Sequence, residues 1–236
     1  MMIKFAKVML IFFISIQLVS CVSTNKMPPQ NDDINLQPMY GGVEKTPQQK
    51  RLDDAFIASI VQKTGNRWNG SMQVSQLGWS YLQKGDWETA MRRFNQAWLL
   101  DQDNYEAYWG FAAILDNQGK YADACAMGEK ALSLAPGNTK VMCDVAFGYS
   151  NYAYSMEENQ NERDRYFKKA ISLYEQAAAI DPNYSCIYNH WAITLFYTGE
   201  YQAAWEKVKK SEELGFNFSQ GFLDDLTEKM PRPEPY

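Results

Sequence analysis

The feature that most constrains this chain is that it repeats itself. The triplets Gly85-Asp86-Trp87, Gly119-Lys120-Tyr121 and Gly199-Glu200-Tyr201 set a glycine, a charged residue and an aromatic at matching points. Aligned on them, small residues fall at Ala90, Ala124, Ala170 and Ala204, spaced by 34, 46 and 34 residues. A second small column follows at Ala97, Ala131, Ala177 and Ser211, and a bulky apolar column runs through Leu77, Phe111, Val145 and Trp191. A period of this length means that one helical unit is used several times and that stacking neighbours, not single units, bury the apolar faces. The unit is 34 residues, with one copy lengthened by 12.

The columns have a physical reason. Small residues let two helices approach closely, and aromatics fill the space between successive turns. Glycine at the joint supplies the positive φ that a residue past a helix end often needs. Leu77-Gly78, Tyr81, Ala90, Phe94 and Ala97 in the first unit, with Pro136 and Pro182 closing the second and third, resemble the tetratricopeptide repeat. Gln102 and Phe216 stand where proline is usual, and Gly128 where an aromatic is usual. The resemblance implies an all-α fold: a right-handed α-solenoid of four helical hairpins at 71–104, 105–138, 139–184 and 185–218. The third copy lacks the glycine joint, and its extra residues predict a longer hairpin turning near Glu157 to Asn161.

Flanking segments complete the plan. Thr46 as N-cap, Pro47 at the first helical position, and Leu52, Phe56, Ile57, Ile60 and Val61 on one face up to Gly65 predict an N-terminal capping helix with its loop over 46–70. Phe222, Leu223 and Leu226 predict a C-terminal cap within 219–236, ended by Pro231, Pro233 and Pro235. Residues 21–45 are polar, contain Pro and Gly, show no apolar period and read as a flexible tether.

The first 20 residues read as a leader. Lys4 and Lys7 precede the apolar run Val8 to Val19, too short for a bilayer core of about 30 Å but suited to a secretory signal. Leu18-Val19-Ser20-Cys21 resembles the bacterial lipobox, which implies cleavage before Cys21 and its acylation, palmitate included. With Val22 after that cysteine, the sorting pattern implies the outer membrane, facing the periplasm, if the source is a diderm. Losing both lysines with the leader takes the formal charge from −5 to −7, so neither total supplies the basic surplus that nucleic-acid binding needs.

Catalytic chemistry has little material. His190 is the single histidine, there is no phosphate-binding glycine motif, and no cofactor or metal is implied. Adjacent acids such as Asp53-Asp54 diverge by about 100° on a helix and do not converge on one substrate. A hydrolase working through Glu106 and Asp116 is the enzymatic alternative to a non-catalytic scaffold. In the repeat family the concave face is lined by the first helix of each unit. Mapped here, that face carries Trp79, Gln83, Trp109, Asn117, Phe147, Asn151, Asn189 and Tyr197. Such a mixture suits an extended peptide or partner segment, because aromatics give area at low entropy cost and amides pair with a backbone. The same aromatics also suit packing against the N-terminal helix or a second copy, so self-association stays open. Cys143 and Cys186 map to neighbouring groove helices, and a disulfide between them is one option.

Overall fold

The computed structural model describes residues 33–234. The leader, Cys21 and residues 21–32 of the expected tether lie outside the described residues. These fall into two compact units, one within Thr24–Pro182 and the other within Asn183–Tyr236. Among the described residues all regular structure is helical, and no helix is long and apolar enough to cross a membrane.

In the first unit, α1 (Pro47–Thr64) is followed by three hairpins: α2 (Arg67–Gln83) with α3 (Trp87–Leu100), α4 (Tyr105–Asn117) with α5 (Tyr121–Leu134), and α6 (Thr139–Ser155) with α7 (Gln160–Ile180). Each helix packs on the next, and α2, α4 and α6 also touch in succession, the register of an α-solenoid. The second unit holds α8 (Ser185–Thr198), α9 (Tyr201–Glu213) and α10 (Gln220–Lys229).

The expected joints are present. Gly85, Gly119 and Gly199 have φ of 75°, 73° and 82°, conformations that side-chain-bearing residues resist. Each aromatic two residues later opens the following helix. Both small columns are buried, with Ala90, Ala97, Ala131, Ala170, Ala177, Ala204 and Ser211 fully so. Two glycines serve packing instead: a Cβ on Gly78 or Gly110 would meet the Phe94 ring at 2.7 or 2.4 Å, so this ring fills a slot that only glycines leave open. Gly128 departs from the repeat pattern for a similar reason, since a Cβ there would meet Val145 at 2.9 Å.

The third hairpin is longer, as its missing glycine implied, but unevenly so. α6 has 17 residues against 13 in α4, and α7 has 21 against 14 in α5, with the turn at 156–159. Its aromatics mostly pack within the hairpin: Tyr166 meets Tyr152 at 4.8 Å and Tyr149 at 5.7 Å between ring centroids. Tyr154 remains about half exposed.

Three expectations need correction. α1 forms over the expected span, capped by a Thr46–Gln49 capping box and ended at Gly65, yet buries none of its residues, and Leu52 is 65% exposed. Its contact with α2 centres on Gly70, where Ile60 lies against the bare Cα, and Leu77 of the bulky column stays 50% exposed. Cys125 and Cys143 are buried and Cys186 is half-buried, and among the described residues no disulfide joins Cys143 to Cys186.

The third correction concerns the tether. Residues 33–45 are folded: Ile34–Leu36 and Pro38–Gly42 form short 3-10 turns, and Tyr40 is buried. The cause is Asn95 on α3, itself fully buried. Its Nδ2 donates to the carbonyls of Asn35 (2.9 Å) and Gln37 (2.8 Å), and its Oδ1 accepts from the Tyr40 amide (3.3 Å). A polar, proline-containing stretch folds here because a buried amide 55 to 60 residues away satisfies its main chain.

Candidate protein-binding face

Within the first unit the predicted face is built by α2, α4 and α6. Trp79 and Trp109, one from each of the first two hairpins, meet edge to face with centroids 4.6 Å apart, and Trp79 also meets Phe94 at 5.2 Å. The indoles are held by carboxylates from the next hairpin. Trp79 Nε1–H donates to Glu106, and Trp109 Nε1–H donates to Asp144 at 2.9 Å. Asn151 Nδ2 in turn donates to Asp116 Oδ2 at 2.8 Å. Hydrogen bonds to ionised acceptors are stronger than neutral ones. Both indoles are therefore held in fixed orientations.

The other predicted residues divide. Phe147 is half-buried on α6. Asn117 is exposed, and its Nδ2 bonds back to Ala113 O at 2.8 Å on its own helix. Gln83 is exposed at the end of α2. In the second unit Asn189 and Tyr197 are half-buried on α8, with Tyr197 edge to face against Phe196 at 5.6 Å. On the same helix Cys186 Sγ lies 3.6 Å from His190 Nδ1, as an i, i+4 pair can.

Asp144 is the residue that sequence reasoning missed. Its signal was the 35-residue separation from Trp109, one repeat plus one position. Burial, and then the Asp116 and Glu129 carboxylates, push the Cys125 thiol up to about 12. Glu129 itself is held below the usual carboxylate range: burial opposes this, but hydrogen bonds from Lys169 and Tyr149 (both 2.9 Å) outweigh it.

Glu106 and Asp116, on which the hydrolytic alternative rests, are both on α4 and ten residues apart. At 1.5 Å per residue that separation is about 15 Å along the axis, beyond the roughly 5–9.5 Å at which two carboxyl groups flank a glycosidic bond in its hydrolysis. They are used instead to orient an indole and an amide. A recess of about 490 Å³ is lined by Tyr149 of α6 and by Arg165, Lys168, Lys169 and Ser172 of α7 among others.

Successive antiparallel helical hairpins, three of the four with a glycine joint, define a helical-repeat fold. Residues 105–138, the second hairpin, match the tetratricopeptide repeat family. Solved structures of similar fold include TTC0263, a thermophilic TPR protein in Thermus thermophilus, with 18% identity, 67% of this chain and 80% of that chain covered, and a TM-score of 0.59. The human IFIT1 dimer with PPP-AAAA is also similar, with 16% identity and a TM-score of 0.53 over 66% of this chain; the match spans 34% of the IFIT1 chain. No curated protein matches the sequence. The fold is that of tetratricopeptide-repeat hairpins.

Proposed function

We propose that this protein is a lipid-anchored scaffold of the bacterial cell envelope, which holds a partner protein by an extended segment laid along α2, α4 and α6. The observation that carries the reading is the pair of indoles, Trp79 and Trp109, each fixed by a carboxylate of the following hairpin. Aromatics held in this way supply contact area without further ordering, and such residues dominate binding energy where they occur at interfaces. The envelope address rests on the lipobox-like Leu18 to Cys21, with acylated Cys21 as the membrane attachment and the outer membrane as the destination in a diderm. Each buried CH₂ of an acyl chain contributes about 0.8 kcal/mol, so multiple acylation anchors a domain without a spanning helix.

The test is crosslinking in intact cells followed by capture of the protein, comparing wild type with a Trp79→Ala, Trp109→Ala double variant. Partners lost only from the double variant, with its helical content and midpoint of unfolding little changed, support the reading. Identical partners from both would move the binding face elsewhere on the molecule, with the long hairpin as the next surface to vary.

A further inference from the structure

The N-terminal segment is held in a way that differs from everything else in the first unit. Its apolar side chains are mostly only half-buried, Ile34, Leu36, Pro38 and Met39 among them, and Tyr40 alone is buried. One carboxamide, Asn95, uses all three of its well-placed hydrogen bonds on main-chain groups of residues 35, 37 and 40. Around that centre Tyr40 is buried with its ring 6.4 Å from Trp98, and Lys45 stacks 3.4 Å from the Tyr40 ring centroid. Lys45 also pairs with Asp53 of α1 at 2.6 Å, and Arg92 of α3 lies 3.7 Å from Asp33.

The segment is also strained. Met39, Tyr40, Gly41 and Gly42 all have positive φ, of 53°, 58°, 67° and 68°. For Gly41 and Gly42 that is cheap. For Met39 and Tyr40 left-handed backbone is costly, and it persists only where the surroundings over-determine it. A contact with one buried side chain and three hydrogen bonds, opposed by backbone strain, is easier to undo than the fully buried apolar faces between the hairpins.

We propose that the outer face of α3 around Asn95 is a docking site whose resident ligand is residues 33–42 of the same chain, and that its occupancy sets how far the domain reaches from its lipid anchor. The second half rests on the acylation of Cys21 proposed above. With the segment docked, 12 peptide links separate Cys21 from Asp33, a contour of at most about 40 Å. With it released, 25 links separate Cys21 from Thr46, a contour of at most about 85 Å. Docking therefore halves the reach, and any partner that competes for Asn95 would extend it.

Two variants of the full chain test this without unfolding the hairpins. Asn95→Asp keeps size and the acceptor for the Tyr40 amide but replaces both donated bonds with carboxylate facing carbonyl oxygens. Gly41→Ala leaves α3 untouched and strains the turn, because an L side chain resists a φ of 67°. The measurement is hydrogen–deuterium exchange of peptides covering 34–42. Docking predicts exchange there at least about 10-fold faster in both variants, with α4 to α7 unchanged; unchanged exchange in both overturns the docking site.

For reach, acylated full chain is placed on phosphatidylethanolamine–phosphatidylglycerol vesicles with a donor dye on Ser133→Cys, in a Cys186→Ser background, and an acceptor in the headgroups. Lower energy transfer in both variants than in the docked chain supports the length assignment, and equal transfer with the chain still vesicle-bound overturns it. Failure of the wild-type chain to float with vesicles, alike with and without Cys21→Ser, overturns the anchor reading and the reach with it, while the exchange result still decides the docking site.

Discussion

The two ends of the described chain are fastened by different physics. At the C-terminal end α10 buries Phe222 and Leu226, with Phe222 stacked on Phe218 at 5.2 Å and edge to face with Phe196 at 5.7 Å. The chain beyond it is tied by Trp205 Nε1–H to Met230 O at 3.0 Å and by Arg232 to Glu212 at 2.6 Å. At the N-terminal end α1 has no fully buried residue, and the segment before it is fixed by the amide of Asn95 together with the buried Tyr40. The first fastening removes apolar area from water and belongs to the core. The second satisfies main-chain groups that water would satisfy almost as well, so its net stabilisation is small and its geometry is what it secures.

The largest effect that would sharpen this contrast is at Leu226, fully buried in α10. Leu226→Ala removes that contact and leaves a cavity, a change that typically costs about 2–5 kcal/mol. Urea unfolding followed by fluorescence would show it as a lowered midpoint; a shift no larger than that of a surface substitution would erase the difference between the ends. Next in size is Gly110→Ala, whose Cβ would meet the Phe94 ring at 2.4 Å and force the ring to move. Overpacking of this kind costs about 1–3 kcal/mol, read from the same midpoint, and a neutral result would mean that the Phe94 slot has slack.

The contrast also separates what was legible in the sequence from what was not. The joints at Gly85, Gly119 and Gly199 and the alanine columns could be read because they recur and because each follows from local geometry. The span of α1 was readable from Thr46, Pro47 and Gly65. What periodicity cannot say is whether a helix face has a partner, and so the exposure of Leu52 and Leu77 was hidden. The grip on residues 33–45 was hidden more deeply. Asn95 sits in helix α3 without any repeat counterpart, and Pro38-Met39-Tyr40-Gly41-Gly42 has the composition of a loop; only the fold brings them together. On the candidate face the tryptophans were legible by repeat position. Their orientation by Glu106 and Asp144 was not, since it depends on which helix comes to lie beside them.

Alkaline pH should weaken the N-terminal fastening selectively. Burial, reinforced by the nearby Asp53 carboxylate, raises the Tyr40 hydroxyl above the ordinary value of 10, so the folded state holds this proton more tightly than the unfolded chain does. The resulting stabilisation is complete below pH 10 and declines as pH rises beyond it. Cys125 acts in the same direction within the first unit, from 9 towards about 12. Exchange of peptides covering 34–42, corrected for the intrinsic base-catalysed rate, should therefore accelerate above pH 10 more than exchange at α10. Equal acceleration at both ends would remove Tyr40 from the account.

The smallest expected effect is the most direct test of how little α1 contributes as a lid. Leu52 is 65% exposed on a helix with no buried residue, so Leu52→Ser gives up little apolar burial and should change stability by no more than about 0.5 kcal/mol. Measured in the monomer by urea titration, a loss well above that would mean that the Leu52 face is covered in solution. Repeating the titration over a range of protein concentrations then tells what covers it. A midpoint that rises with concentration in wild type but not in Leu52→Ser would identify a second copy, because only association links stability to concentration. A concentration-independent loss would place the cover within the chain itself. A small loss at every concentration leaves the comparison as the structure draws it, with one end closed by apolar burial and the other by an amide that reads the backbone.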